Sequence, residues 1–158
     1  LETSNKELIS LEDEIDYCER YMALESMRFE DEQSFNFSLD IEESLDLTRW
    51  QIPPLILQPL LENAIKHGRS GRNNIRLNAS LDRPHLLKIT VENDLPKQKS
   101  AKNTISTQMG MKLVRERLDM MNERYSHLLK ASFSVIIVDN TYNVVIELKQ
   151  VSHDWIYK

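Results

Sequence analysis

The chain is poor in cysteine, glycine and long apolar runs, and each shortage removes a class of protein. One cysteine, Cys18, among 158 residues excludes an internal disulfide framework and a cysteine-based zinc cluster. It belongs on a helix face in a reducing compartment. Only three glycines occur, so any glycine-dependent loop has few places to form. No window approaches roughly eighteen uninterrupted apolar residues and no signal peptide opens the chain, which predicts a soluble, non-exported stretch without membrane contact. A net charge of −5 argues against binding nucleic acid by phosphate neutralisation. What is present, 41% apolar residues, can bury a real core, most simply as one domain.

The most informative stretch runs from Ile52 to Gly68, Ile-Pro-Pro-Leu-Ile-Leu-Gln-Pro-Leu-Leu-Glu-Asn-Ala-Ile-Lys-His-Gly. Its two leading prolines stop whatever precedes them. A helix then starts near Leu55, and Gly68 is expected to end it in the left-handed conformation. Leu57, Leu60, Leu61, Ala64 and Ile65 make one apolar stripe, while Asn63, Lys66 and His67 share another face. One side packs and the other presents an amide, an ammonium and an imidazole. On residue spacing alone that trio is also what the solvated edge of an amphipathic helix looks like.

Upstream, Ser10 and Asp13 form a capping box for a helix from Leu11 to Phe29, with Leu11, Ile15, Cys18 and Met22 inward. Ser34 to Asp40 alternates as a half-buried strand. Ile41 to Gln51 is acidic and irregular, with room for one helical turn, and Trp50 plugs the core edge. Asn74 to Asp82 and His85 to Asn93 read as adjacent antiparallel strands. Pro96 to Gln108, carrying Lys97, Lys99 and Lys102, reads as loop, either solvated or touching phosphate. Met109 to Tyr125 returns to helical spacing, with Met111, Val114, Leu118 and Met121 inward and Arg115 and Asp119 as an exposed pair. Ala131 to Val138 and Thr141 to Lys149 flank an Asp139-Asn140 turn as a hairpin. Val151 to Lys158 is a tail holding Trp155. The order helix, strand, helix, two strands, helix, two strands fits an α+β, two-layer α/β sandwich with helices on one face of a mixed, mostly antiparallel sheet.

The word Gln58-Pro59-Leu60-Leu61-Glu62-Asn63-Ala64-Ile65-Lys66-His67-Gly68 resembles the asparagine box of sensor histidine kinases of the LytS-type subfamily. The resemblance covers about Ser10 to Lys149. It implies the Bergerat ATP-binding fold, with residues 1–30 as a linker helix after the phosphoacceptor region, 31–150 as the catalytic domain and 151–158 as a tail. In the first glycine box relatives read Asp-x-Gly, where this chain has Asn93-Asp94-Leu95. An asparagine can still accept a hydrogen bond from adenine but without charge assistance. Asp94 is a neighbouring substitute, although alternation turns it to the opposite face. In the second box relatives read Gly-x-Gly-Leu before a Val-Arg-x-Arg-Leu helix. Here Gln108-Met109-Gly110-Met111 precedes an intact Val114-Arg115-Glu116-Arg117-Leu118. Thr141 matches a threonine that relatives place after paired glycines, here Asp139 and Asn140.

Carried residue by residue, the resemblance implies that Asn63 ligates Mg2+ and Lys66 neutralises phosphate. It places His67 near base or ribose, Asn93 at adenine, and Gly110 with Met111 at the phosphate cradle. Glu62 is either a base or an exposed helix carboxylate. ATP and Mg2+ are the implied cofactors. The implied partners are upstream phosphoacceptor helices in a dimer and a response regulator of LytTR type. The implied setting is the cytoplasmic part of a membrane-anchored sensor. No Asn-Pro-His-Phe-type acceptor word surrounds His67, His85, His127 or His153. Three functions stay open: an active kinase domain, a degenerate module of the same fold, and an ATPase of the chaperone or mismatch-repair type. The last is disfavoured because Pro59 stands where those ATPases carry a catalytic glutamate.

Overall fold

The alternating segments assemble into one five-stranded sheet. A computed structural model describes residues 8–28, 34–68, 73–96 and 101–151, the side chains of 101–110 excepted. Strand β1 (Ile9–Ser10) leads into helix α1 (Leu11–Arg28), followed by β2 (Phe35–Ile41), a single 3-10 turn at Leu47–Arg49 and β3 (Gln51–Ile52). Then come α2 (Leu57–His67), β4 (Asn73–Arg83), β5 (Leu86–Asp94), α3 (Ala101–Arg124), β6 (Leu129–Val138) and β7 (Thr141–Gln150). The large sheet has the order β2-β4-β5-β7-β6, while β1 and β3 form a separate two-stranded pair. Among the described residues only the β2–β4 pairing is parallel, so the sheet is mixed and mostly antiparallel as expected.

Period-two patterning decides which face is covered. Ile75, Leu77 and Ala79 of β4, Leu87, Ile89 and Val91 of β5, and Val144, Ile146 and Leu148 of β7 are buried on one face. Against that face lie Leu57, Leu60, Leu61 and Ala64 of α2 and Val114, Leu118 and Met121 of α3. Leu57 and Leu61 are fully buried, and each such leucine contributes about 1.5–3 kcal/mol by leaving water. Leu11, Ile15, Cys18 and Met22 of α1 join the same core, with Trp50 closing its edge at 5% exposure. Ser10 Oγ accepts from the Asp13 amide at 3.1 Å, so the N-terminal cap of α1 forms as its sequence predicts.

Four local expectations are corrected. Helix α2 starts at Leu57, two residues after the predicted start, because Leu55 has φ 61° and cannot belong to a right-handed helix. Gly68 ends α2 with φ −77° and ψ 175°, an extended conformation open to any residue. It is glycine for space: a Cβ there would collide with the side-chain amide of Asn73 and the carbonyl of Ala64. Helix α3 begins at Ala101, inside the stretch read as loop. Residues 101–108 lack an apolar stripe, yet helix propagates into them from the packed turns at 111–121, since extending a helix costs far less than nucleating one. Finally, Arg115 lies over the Phe133 ring at 5.1 Å instead of pairing with Asp119; the nearby ion pair on this helix is Lys112–Glu116 at 3.9 Å. Lys97, Lys99, Trp155 and His153 lie outside the described residues.

Candidate functional site

Helix α2 carries the polar trio, and its apolar stripe fixes how the trio faces. With Leu57, Leu60, Leu61 and Ala64 turned into the core, Glu62 and Lys66 are exposed, and Asn63 and His67 are half-buried at the rim. The Asn63 side-chain nitrogen is buried without a hydrogen-bond partner, an exception in a native interior. Burial, and secondarily the Lys66 charge, hold the His67 imidazole below its ordinary pKa, so the ring is neutral at physiological pH. Asn73 donates from Nδ2 to Ala64 O at 2.8 Å and ties the end of α2 to the start of β4.

The beginning of α2 is held by other helices. Ile56 stands at its N-cap and makes no side-chain capping bond. The Glu14 carboxylate of α1 fills that role from across the core, accepting from Leu57 N at 3.2 Å and Leu55 N at 3.3 Å. Glu14 is 2% exposed. Burial raises its pKa, opposed by the backbone amides it accepts from and by the Arg117 charge. Arg117 of α3 donates from Nη1 to Leu55 O at 2.7 Å and Pro54 O at 3.1 Å. Burial, and secondarily the Glu62 charge, pushes the pKa of the Tyr21 phenol of α1 up.

The sheet supplies the other wall. Asn93 is 4% exposed and sits opposite Ile75 and Tyr142, so it belongs to the helix-covered face that α2 packs against. Its Nδ2 donates to Asp94 O at 3.0 Å. Asp94 turns to the other face, where one oxygen accepts from Asn74 N and Asn74 Nδ2, both at 3.0 Å. Thr141 pairs with Asp94 in register and shares that outer face; its Oγ1 donates to Val138 O at 2.6 Å and accepts from Asn143 Nδ2 at 3.0 Å. Asp139 and Asn140 have φ 49° and 62°, the backbone of a tight hairpin turn, and Leu95 N donates to Asn140 O at 2.9 Å. Gly110 lies inside α3 instead of ahead of its first turn, so its N–H belongs to the helix ladder; Met111 beside it is buried.

The structure therefore gathers Asn63, Lys66, His67 and Asn93 on the helix side, and separates Asp94 and Thr141 from them by the thickness of the sheet. Sequence reading missed Glu14, Arg117, Tyr21 and Tyr142. A signal existed for Glu14: Leu11, Glu14, Ile15 and Cys18 fall on one helical stripe, so a carboxylate stood at a core position. Among the described residues no three of His, Cys, Asp and Glu converge on a metal site. A cation held by Asn63 would take its other oxygens from phosphate and water, which suits magnesium.

This fold is shared with the catalytic domains of solved histidine kinases. Solved structures with the same fold include the histidine kinase AdeS of Acinetobacter baumannii, with a TM-score of 0.64 at 12% identity over 92% of this chain and 68% of that one. The ThkA histidine kinase catalytic domain gives 0.63 at 14% over 90% and 94%, and the mycobacterial sensor histidine kinase MprB 0.61 at 11% over 91% and 97%. In sequence, the chain is 34% identical over 93 residues to the sensor protein kinase HptS of Staphylococcus aureus, which is 58% of this chain but only 17% of that relative's length. No family profile matches the chain.

Proposed function

We propose that the chain is the ATP-binding catalytic domain of a two-component sensor histidine kinase, of the LytS-type subfamily. It transfers the ATP γ-phosphoryl to a histidine on an upstream dimerisation domain. The observation that supports this most is that Asn63, Lys66 and His67 stand on α2 and Asn93 lies on the sheet face that α2 covers, within the histidine kinase fold. In this reading the Asn63 amide oxygen ligates magnesium and Lys66 compensates phosphate charge. Neutral His67 lies against base or ribose, Asn93 accepts from adenine, and exposed Glu62 beside Asn63 serves as a base or water-orienting group. Magnesium, when bound, neutralises charge on the transferring phosphoryl group, while the protein's part is positioning and charge complementarity. Asp94 and Thr141 act from behind the sheet, setting the β5–β7 register beneath Asn93; Gly110 and Met111 mark where phosphate approaches α3.

A nucleotide partner accords with full-length ShkA, solved in complex with AMPPNP, and a response regulator with ThkA, solved in complex with TrrA. A LytTR-type regulator, a dimer through upstream helices and a membrane-anchored cytoplasmic setting complete the proposal. A second reading, a degenerate module that binds nucleotide weakly, is favoured by two observations: Leu95 is buried where relatives have glycine, and Gly110 is enclosed in α3. Titration of ATP with and without Mg2+ separates them. Saturable, magnesium-dependent binding that Asn63→Ala weakens at least tenfold supports the kinase reading, and no saturation at millimolar nucleotide refutes it.

A further inference from the structure

We propose that Glu14 and Arg117 are positioning residues for the site: together they clamp the Pro54–Leu57 turn and so set where α2 carries Asn63 and Lys66. The proposal rests on the kinase reading for its consequence and on geometry for its substance. The turn contains Leu55 in a left-handed conformation that leucine adopts only under constraint. Leu55 is 43% exposed, so burial of its own side chain does not impose that conformation. The constraint is polar and comes from both sides. Glu14 takes the amide hydrogens of Leu55 and Leu57, while the Arg117 guanidinium takes the carbonyls of Pro54 and Leu55.

The two groups stand on different helices, α1 and α3, and neither belongs to the helix they fix. A helix whose first turn lacks a cap of its own takes its axial position and rotation from whatever satisfies its first amides. Here that is a carboxylate on α1. The other grip comes from α3, the helix that contains Gly110. A displacement of α1 along its axis is thereby carried into the placement of the Asn63 amide through named hydrogen bonds.

The test compares Glu14→Gln and Arg117→Met with Asn122→Ala in this chain. Glutamine keeps the size of Glu14 but opposes one amide donor with another. Asn122 is the matched structural control, since its amide makes two bonds to Ala131, at 2.6 and 2.7 Å, away from the turn. Hydrogen exchange in the first turn of α2 and the side-chain amide resonance of Asn63 are read without nucleotide; the ATP dissociation constant is read with Mg2+, well below each variant's melting point. The clamp requires faster exchange and a moved Asn63 resonance in both clamp variants, a tenfold or greater weakening of ATP binding, and a double variant no worse than the poorer single one. Asn122→Ala should lower the melting point and leave these site readouts alone. Unmoved exchange and resonance in the clamp variants overturn the proposal. If the parent chain binds no nucleotide, the kinase reading fails and the exchange and resonance arms still decide the clamp.

Discussion

Substitution at Gly68 tests whether space or backbone conformation demands glycine at the end of the site helix. In Gly68→Ala the φ of −77° is retained without strain, and reduced freedom of the unfolded chain contributes about 0.4–1 kcal/mol of stability. Against this, the new Cβ falls on the Asn73 amide and the Ala64 carbonyl, and the 2.8 Å bond between those groups is broken. An unsatisfied buried pair of this kind costs about 1–3 kcal/mol. The Asn73 Oδ1 is already buried without a partner, so breaking the bond from Nδ2 removes the side-chain hydrogen bond that ties Asn73 to α2. The balance is a loss of about 1–2 kcal/mol, a fall of roughly 2–8 °C in melting point for a chain of this size. Thermal unfolding followed by circular dichroism reads it directly. The discriminating result is the ranking of two variants. Because the obstacle is steric, Gly68→Asn should be less stable than Gly68→Ala. Asparagine tolerates left-handed backbone better than alanine, so the reverse ranking would refute the steric argument and restore the left-handed cap.

Two further outcomes follow from the site. The His67 pKa is depressed, so the unfolded chain takes up its proton first; stability from this group is full above pH 6.5 and falls as pH drops below that value, and an NMR titration of the ring should show a midpoint under 6.5. A midpoint above 6.5 sinks the assignment of a neutral ring. Asn93→Asp, which restores the residue usual in relatives, should weaken nucleotide binding instead of improving it, because a carboxylate oxygen would replace the Nδ2 donor 3.0 Å from the Asp94 carbonyl. Tighter ATP binding by this variant in calorimetry would show that the carbonyl contact does not orient the residue.

Elements with a strong apolar period were legible from sequence. The alternation of Ile75, Leu77 and Ala79, and of Leu87, Ile89 and Val91, located two strands and the covered face together, and the same alternation correctly turned Asp94 away from Asn93. The Asp139-Asn140 pair announced its turn because both residues tolerate positive φ. What the sequence leaves unread depends on partners outside the segment itself. Residues 101–108 carry no stripe, so their helix is legible only by extension from the packed turns after it. The Glu14 contacts span 41 and 43 residues and those of Arg117 span 62 and 63. No short-range pattern reports partnerships at that range. Helical spacing pairs Arg115 with Asp119, four residues on, but the Phe133 ring of the packed strand offers a site that spacing within one helix does not reveal.

The few glycines invite the inference that left-handed backbone is rare here, and the structure divides the two properties. Among the described non-glycine residues, Leu55, Asp139 and Asn140 have positive φ, whereas Gly68 is extended and Gly110 helical. Each departure has its own cause. Asp139 and Asn140 are short polar side chains that bear the left-handed region at modest cost, and the Asn140 side chain also donates to Leu95 O at 3.3 Å. Leu55 is held by an acid and a guanidinium from separate helices. Gly68 leaves room for the Asn73 amide, and that amide secures the far end of the helix whose near end Glu14 and Arg117 secure. The helix bearing Asn63, Lys66 and His67 is thus fixed at both termini by side chains from outside itself. The motif's apolar residues decide that the helix packs, and residues remote in sequence decide where it stops and starts. A change at Asn73, Glu14 or Arg117 should therefore reach the polar trio without altering any of its members.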